Sequence, residues 1–86
     1  MYIKNQKNTR IINTRMIKQI KIKTEYNKPE YDIRCFSIRC DDLIIGEYST
    51  MEKAQKVIED IFDVIAHNSA YIDMPWYRMP KDEEVK

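Results

Sequence analysis

Glycine, leucine and histidine each occur once in this 86-residue chain and cysteine only twice, so several chemistries are excluded before any motif is sought. Gly46 alone cannot build a glycine-rich phosphate loop, which needs several glycines so that backbone N–H groups can close on the anion. A zinc site draws on four ligands at close spacing, and His67 stands far from Cys35 and Cys40 with no C-x-x-C or H-x-x-x-H pattern. Neither metal nor cofactor is therefore expected. The two cysteines are five residues apart on a predicted strand and its turn, where they project to opposite faces. They read as reduced thiols of a cytoplasmic protein rather than as a disulfide. Long apolar runs are missing as well: Leu43 to Ile45 is a run of three, against the roughly 18 residues that cross a bilayer. Polar side chains interrupt the apolar positions of residues 1–23, unlike the core of a signal peptide, so neither a membrane span nor secretion is expected.

What remains is a folding composition. Apolar residues make up 43% and charged residues 34%, the latter above the usual quarter or so, while the net charge is only +1. Ile, Leu, Val and Phe account for 20 of the 86 residues, enough for one small core and no more. Ile, Lys, Asn and Tyr together supply 35 residues, all types with A/T-rich codons, which points to a low-GC genome.

From Tyr2 to Tyr48 the pattern is that of strands broken by polar turns. Strands are predicted near Tyr2 to Asn5, Arg10 to Ile17, Ile20 to Tyr26, Tyr31 to Ile38 and Leu43 to Tyr48, with turns at Asn5 to Asn8, Asn27 to Glu30 and Arg39 to Asp42. In the third strand Ile20, Ile22, Thr24 and Tyr26 alternate with Lys21, Lys23 and Glu25, as a half-buried strand does. Gly46 interrupts the last of these strands, where glycine marks a bulge or a close approach, here expected to let a helix sit near the sheet. Ser49 and Glu52 form an S-x-x-E capping box that opens one helix. Ala54, Val57, Ile58, Ile61, Phe62 and Ile65 then recur at helical spacing as a single apolar stripe. Tyr71-Ile72 is expected to add a short C-terminal strand, and the prolines at 75 and 80 make Met74 to Pro80 extended or turning. The expected architecture is α+β: an antiparallel sheet, a meander of about five strands plus the C-terminal strand, packed on one amphipathic helix. Residues 1–80 form the single domain and 81–86 a frayed tail.

Charge is uneven along the chain. Residues 1–23 hold seven Lys and Arg and no acid, whereas residues 41–86 hold eleven acids against five bases. A basic sheet face beside Tyr2, Tyr26 and Tyr31 keeps nucleic-acid binding open, although a pI of 7.7 falls short of the usual nucleic-acid binder. Catalytic constellations are lacking, since Ser69 beside His67 has no acid to orient the imidazole and Cys35 has no neighbouring base. Arginine placement gives the only candidate ligand site. Arg34 and Arg39 sit on the strand that starts at Tyr31 and on the turn after it, and Arg78 follows Trp76 and Tyr77, so guanidinium groups and aromatic rings offer charge-assisted contacts to phosphate and stacking for a base. The sheet face left open by one helix, together with six Tyr, one Trp and five Met, predicts a homo-oligomer.

Leu43-Ile-Ile-Gly-Glu-Tyr-Ser-Thr50, continued by Lys53, Ala54, Val57 and Ile58, and the later Tyr77-Arg78-Met79-Pro80 resemble a family of small phage and prophage proteins of low-GC Gram-positive bacteria. Tyr2-Ile3-Lys4 matches that family's aromatic-Ile-Arg strand with Lys in place of Arg. The resemblance implies origin and fold and brings no catalytic residue. Phage accessory proteins of this size commonly counter host defence. The expected function is therefore a non-enzymatic one in the host cytoplasm: binding and sequestering a phosphate-bearing nucleotide immune signal. Inhibition of a host defence protein by direct contact, in the manner of anti-CRISPR proteins, is the alternative, with a small nucleic-acid-binding regulator as a third.

Overall fold

The computed structural model describes residues 2–37, 42–68 and 76–86, with the side chains at 67, 68 and 76 left out. Its strands are β1 (Tyr2–Lys4), β2 (Ile11–Asn13), β3 (Ile17–Thr24), β4 (Tyr31–Ser37), β5 (Leu43–Tyr48) and β6 (Trp76–Arg78), and its helix is α1 (Met51–Asn68). The α+β class and the packing of antiparallel strands on one helix stand as expected. The meander, however, divides into two three-stranded sheets, β2-β1-β6 and β3-β4-β5. The break falls at a 3-10 turn, Thr14–Met16, where the Asn13 Oδ1 accepts a hydrogen bond from the Arg15 N–H at 3.0 Å. This side-chain cap offers the backbone an alternative to the ladder, and the predicted strand from Arg10 to Ile17 ends at Asn13.

β1 lies at the centre of its sheet, antiparallel to β2 and parallel to β6, with Ile3 opposite both Ile12 and Tyr77. Parallel pairing requires a crossover, and the second sheet and α1 supply it. The β1–β2 turn forms where the sequence places it. Asn8 adopts a left-handed conformation (φ 60°), and the buried Asn5 side chain accepts from the N–H groups of Thr9 and Arg10 at 2.8 and 2.9 Å. In the second sheet the odd positions of β4, Ile33 and Cys35, enter the core with Ile3, Ile45 and Tyr48, together with Ala54, Val57 and Ile61 of α1. Tyr26, predicted to face inward, lies past the end of β3 and is fully exposed.

The helix begins one residue later than the sequence suggests. Thr50 is the N-cap: its hydroxyl accepts from the Lys53 N–H at 3.2 Å and its carbonyl from the Ala54 N–H. Ser49 is taken elsewhere, because both its N–H and its hydroxyl donate to Asp82 Oδ1, at 2.8 and 3.1 Å. A cap is worth about 1 kcal/mol, whereas a fully buried Val or Ile stabilises by about 1.5–3 kcal/mol. Val57 and Ile61, both nearly inaccessible, therefore hold the helix in place, and the cap only fixes its start. The apolar stripe is wider than the sheet can cover, and Phe62 and Ile65 remain exposed at 69% and 41%.

The C-terminal tail, expected to fray, is docked. Asp82–Glu84 form a 3-10 turn in which Asp82 accepts from Ser49, Lys53 Nζ donates to the Asp82 carbonyl at 3.0 Å, and Val85 packs against the core. Gly46 also has a different reason from the expected one. A β-carbon there would stand 2.9 Å from the Tyr48 ring and 3.0 Å from the Met79 methyl, so the close approach is by these side chains rather than by the helix. The neighbouring register shift between Ile33 and Arg34 is the anticipated bulge.

The first sheet is tied to the second by Gln6. Its N–H donates to the Ile45 carbonyl at 2.8 Å, its Oε1 accepts from the Glu47 N–H at 2.8 Å, and its Nε2 donates to the carbonyls of Glu47 and Pro80 at 3.0 and 3.2 Å. One residue thereby satisfies three backbone groups along the outer edge of β5, an edge that would otherwise be open to another chain.

Candidate functional site

Alternation along β4 sends Asp32 and Arg34 to the face opposite Ile33 and Cys35. Both are nonetheless buried, at 0% and 5% exposure. They survive there because they belong to a continuous network. Lys28 Nζ bridges Glu47 (2.7 Å) and Asp32 (2.9 Å), Asp32 accepts from Arg34 Nη2 (2.9 Å), and Arg34 Nη1 donates to Asp42 (2.8 Å). Arg34 Nη2 also meets Glu25, while Lys23 pairs with Asp42 at 3.6 Å and Lys7 with Glu47 at 3.9 Å. Among the described residues four cations thus face four carboxylates, a balanced set that offsets the cost of burying each charge singly.

The network fixes protonation. Glu47 first and Asp32 next push the Lys28 ammonium up to about 12. Arg34 is held still more firmly in its charged form by Asp42, Asp32 and Glu25, and in return its hydrogen bond draws Asp42 below the usual carboxylate range. Arg34 Nε is buried, and among the described residues it has no hydrogen-bond partner.

Among the described residues, the predicted ligand side chains do not converge. Arg34 is enclosed by carboxylates, and Tyr31, on the same strand, projects to the core face opposite Thr24 and Tyr48. Tyr77 and Arg78 lie on β6 of the other sheet. The Tyr77 hydroxyl is spent on Asp60 (2.8 Å), and Arg78 donates to Glu84 at 3.2 Å. Burial followed by the Asp60 contact raises the Tyr77 phenol far above its usual range, and burial does the same for Tyr48, whose hydroxyl donates to the Pro80 carbonyl at 2.7 Å. Trp76 contributes its backbone to β6, and Arg39 lies outside the described residues. Cys35 is buried in the core at 1% exposure, so its thiol is closed to a substrate.

A different opening is present. Between α1 and β3 runs a groove of about 470 Å³ whose floor is Ile17, Ile20, Ile58 and Ile61, with Phe62 and Ile65 as its wall and Arg15 and Lys18 at its rim. Sequence reasoning missed it. The signal was the width of the helical stripe: six apolar positions from Ala54 to Ile65 span a broader arc than a three-stranded sheet covers. No family model, curated protein or solved structure matches the chain. No helix among the described residues is long and apolar enough to cross a membrane.

Proposed function

We propose that this protein acts by binding another protein, without turning over a substrate, and that its working surface is the groove between α1 and β3. The observation that carries this reading is the reversal of roles between the two candidate surfaces. Arg34, the centre of the predicted phosphate site, has its terminal nitrogens committed to Asp32, Asp42 and Glu25, whereas the groove leaves Phe62 and Ile65 exposed. A phosphate approaching Arg34 meets the accessible carboxylates of Glu25 and Asp42, with Asp32 behind them. Exposed apolar surface beside a polar rim is instead the composition of a protein contact. The resemblance to phage proteins supplies the context, inhibition of a host defence component by occupation.

The test uses the purified chain twice. Cyclic dinucleotides and cyclic ADP-ribose isomers are incubated with it and free ligand is measured; the reading requires that none be depleted. Affinity capture from a host carrying defence systems is then followed by reconstitution of the recovered protein with the chain at defined stoichiometry. Ligand that is depleted and returned intact on heating favours nucleotide sequestration, and ligand that is altered reveals an enzyme. Either result overturns the protein-binding reading.

A further inference from the structure

The groove is bounded on one side by β3. β3 ends the order β3-β4-β5, and among the described residues no strand pairs with its outer edge. We infer that an extended segment of the partner protein, alternating acidic and apolar residues, adds to this edge of β3 and places its apolar side chains in the groove. The inference rests on the protein-binding reading and names the chemistry of the partner.

Charge decides what such a segment must be. β3 carries Lys18, Lys21 and Lys23, and lysines on an edge strand oppose pairing with a second copy of the same strand. Lys23 is paired with Asp42 and Lys21 lies over the Phe36 ring at 4.8 Å. Lys18 and Arg15, at the rim of the groove, have no ion pair among the described residues. A strand bearing Asp or Glu supplies the missing counter-charges, because opposite charges on neighbouring strands attract and like charges repel. The register shift at Lys18 puts a bulge at the start of β3, so regular pairing is available from Gln19 onward, beside the groove.

Alternation supplies the anchor. Side chains of a strand added to β3 point in turn to the two faces of the sheet, and those on the helix side enter a space walled by Phe62 and Ile65. Nucleic acid fits less well, since the floor is apolar and offers its phosphates and bases few polar partners.

The probes are fluorescein-labelled peptides of about eight residues, the length of a typical strand: one alternates Val with Glu, its control Val with Lys. A single-stranded oligothymidylate of similar length is measured beside them, by anisotropy on the full chain. The acidic peptide should bind at least tenfold more tightly than the lysine peptide, and Lys18→Glu should erase or reverse that preference. Phe62→Ala should weaken binding about tenfold while leaving the urea melt unchanged, because Phe62 is 69% exposed and contributes little to the core. Equal affinity for the two peptides, saturation by neither, or tighter binding of the oligonucleotide overturns the inference. So does a chain that self-associates through the groove, shown by a dimer that Phe62→Ala dissolves. A stoichiometric protein partner unaffected by Lys18→Glu and Phe62→Ala would sink this inference and leave partner binding standing, whereas nucleotide depletion would sink the broader reading.

Discussion

Replacing Arg34 by methionine tests whether the charged network is structural. The guanidinium side chain is 6% exposed and Asp32 is fully buried, so solvent screens their interaction little, unlike the contacts to Glu25 and Asp42, which are 50% and 35% exposed. Removing one member of a buried pair strands the other charge and costs about 3–5 kcal/mol. Asp32 keeps Lys28 at 2.9 Å, which places the expected loss near the lower end, about 3 kcal/mol. A chain of this size has a total stability of about 4–13 kcal/mol. The variant should therefore melt about 12–24 °C lower, since each kcal/mol moves Tm by about 4–8 °C in a domain of this length. Urea and thermal melts at neutral pH measure it. The companion Arg34→Met/Asp32→Leu removes the stranded carboxylate as well and should recover much of the loss, because a buried ion pair exchanged for apolar groups is often neutral. A single variant that loses less than about 1 kcal/mol, or a double variant no better than the single, would refute the argument that the network holds β4 in place.

Gln6→Ala should cost about 2–3 kcal/mol, because a buried donor left without its acceptor forfeits about 1–3 kcal/mol and two further bonds are lost with it; hydrogen exchange at the Glu47 N–H should accelerate, and an unchanged rate would show that Gln6 does not seal the β5 edge. Deleting residues 81–86 should cost about 2 kcal/mol through the lost packing of Val85 and the bonds to Ser49 and Lys53, and a melt identical to that of the full chain would return the tail to a frayed segment. Asp82 is held below its ordinary value of 3.8, chiefly by the Ser49 N–H, so its contribution is present above that pH and is lost as pH falls through the folded value; Asp82→Asn should lower stability at neutral pH and flatten the acid limb, and equal acid limbs would count against the contact. Tyr48 and Tyr77 have raised phenol values, so their contribution is present below the ordinary value of 10 and is lost as pH rises beyond it; their phenolate absorbance should appear only with alkaline unfolding, and Tyr48→Phe and Tyr77→Phe should each reduce that late step.

Local rules made much of this protein legible in its sequence. Period-2 alternation gave β3, a β-rich run between polar turns gave β4, the polar cluster Asn5 to Asn8 gave the first turn, and the recurrence of Ala54, Val57 and Ile61 gave the buried face of α1, because each depends on neighbours within a few residues. Competition for one partner lay beyond such rules. Ser49 has the sequence of a helix cap, yet Asp82, 33 residues away, claims its hydroxyl and passes the cap to Thr50. The separation of the described candidate ligand residues has a related reason. A guanidinium beside aromatic residues reads alike whether its counter-charge is a ligand or a carboxylate, and only the pairing of β3, β4 and β5 brings Glu25, Asp32 and Asp42 around Arg34. Composition and periodicity thus determined the class of fold and the number of apolar faces. Tertiary structure decided which charges cancel, which strand edge Gln6 covers, and that Phe62 and Ile65 remain in solvent, since these depend on distances between segments that the order of residues does not set.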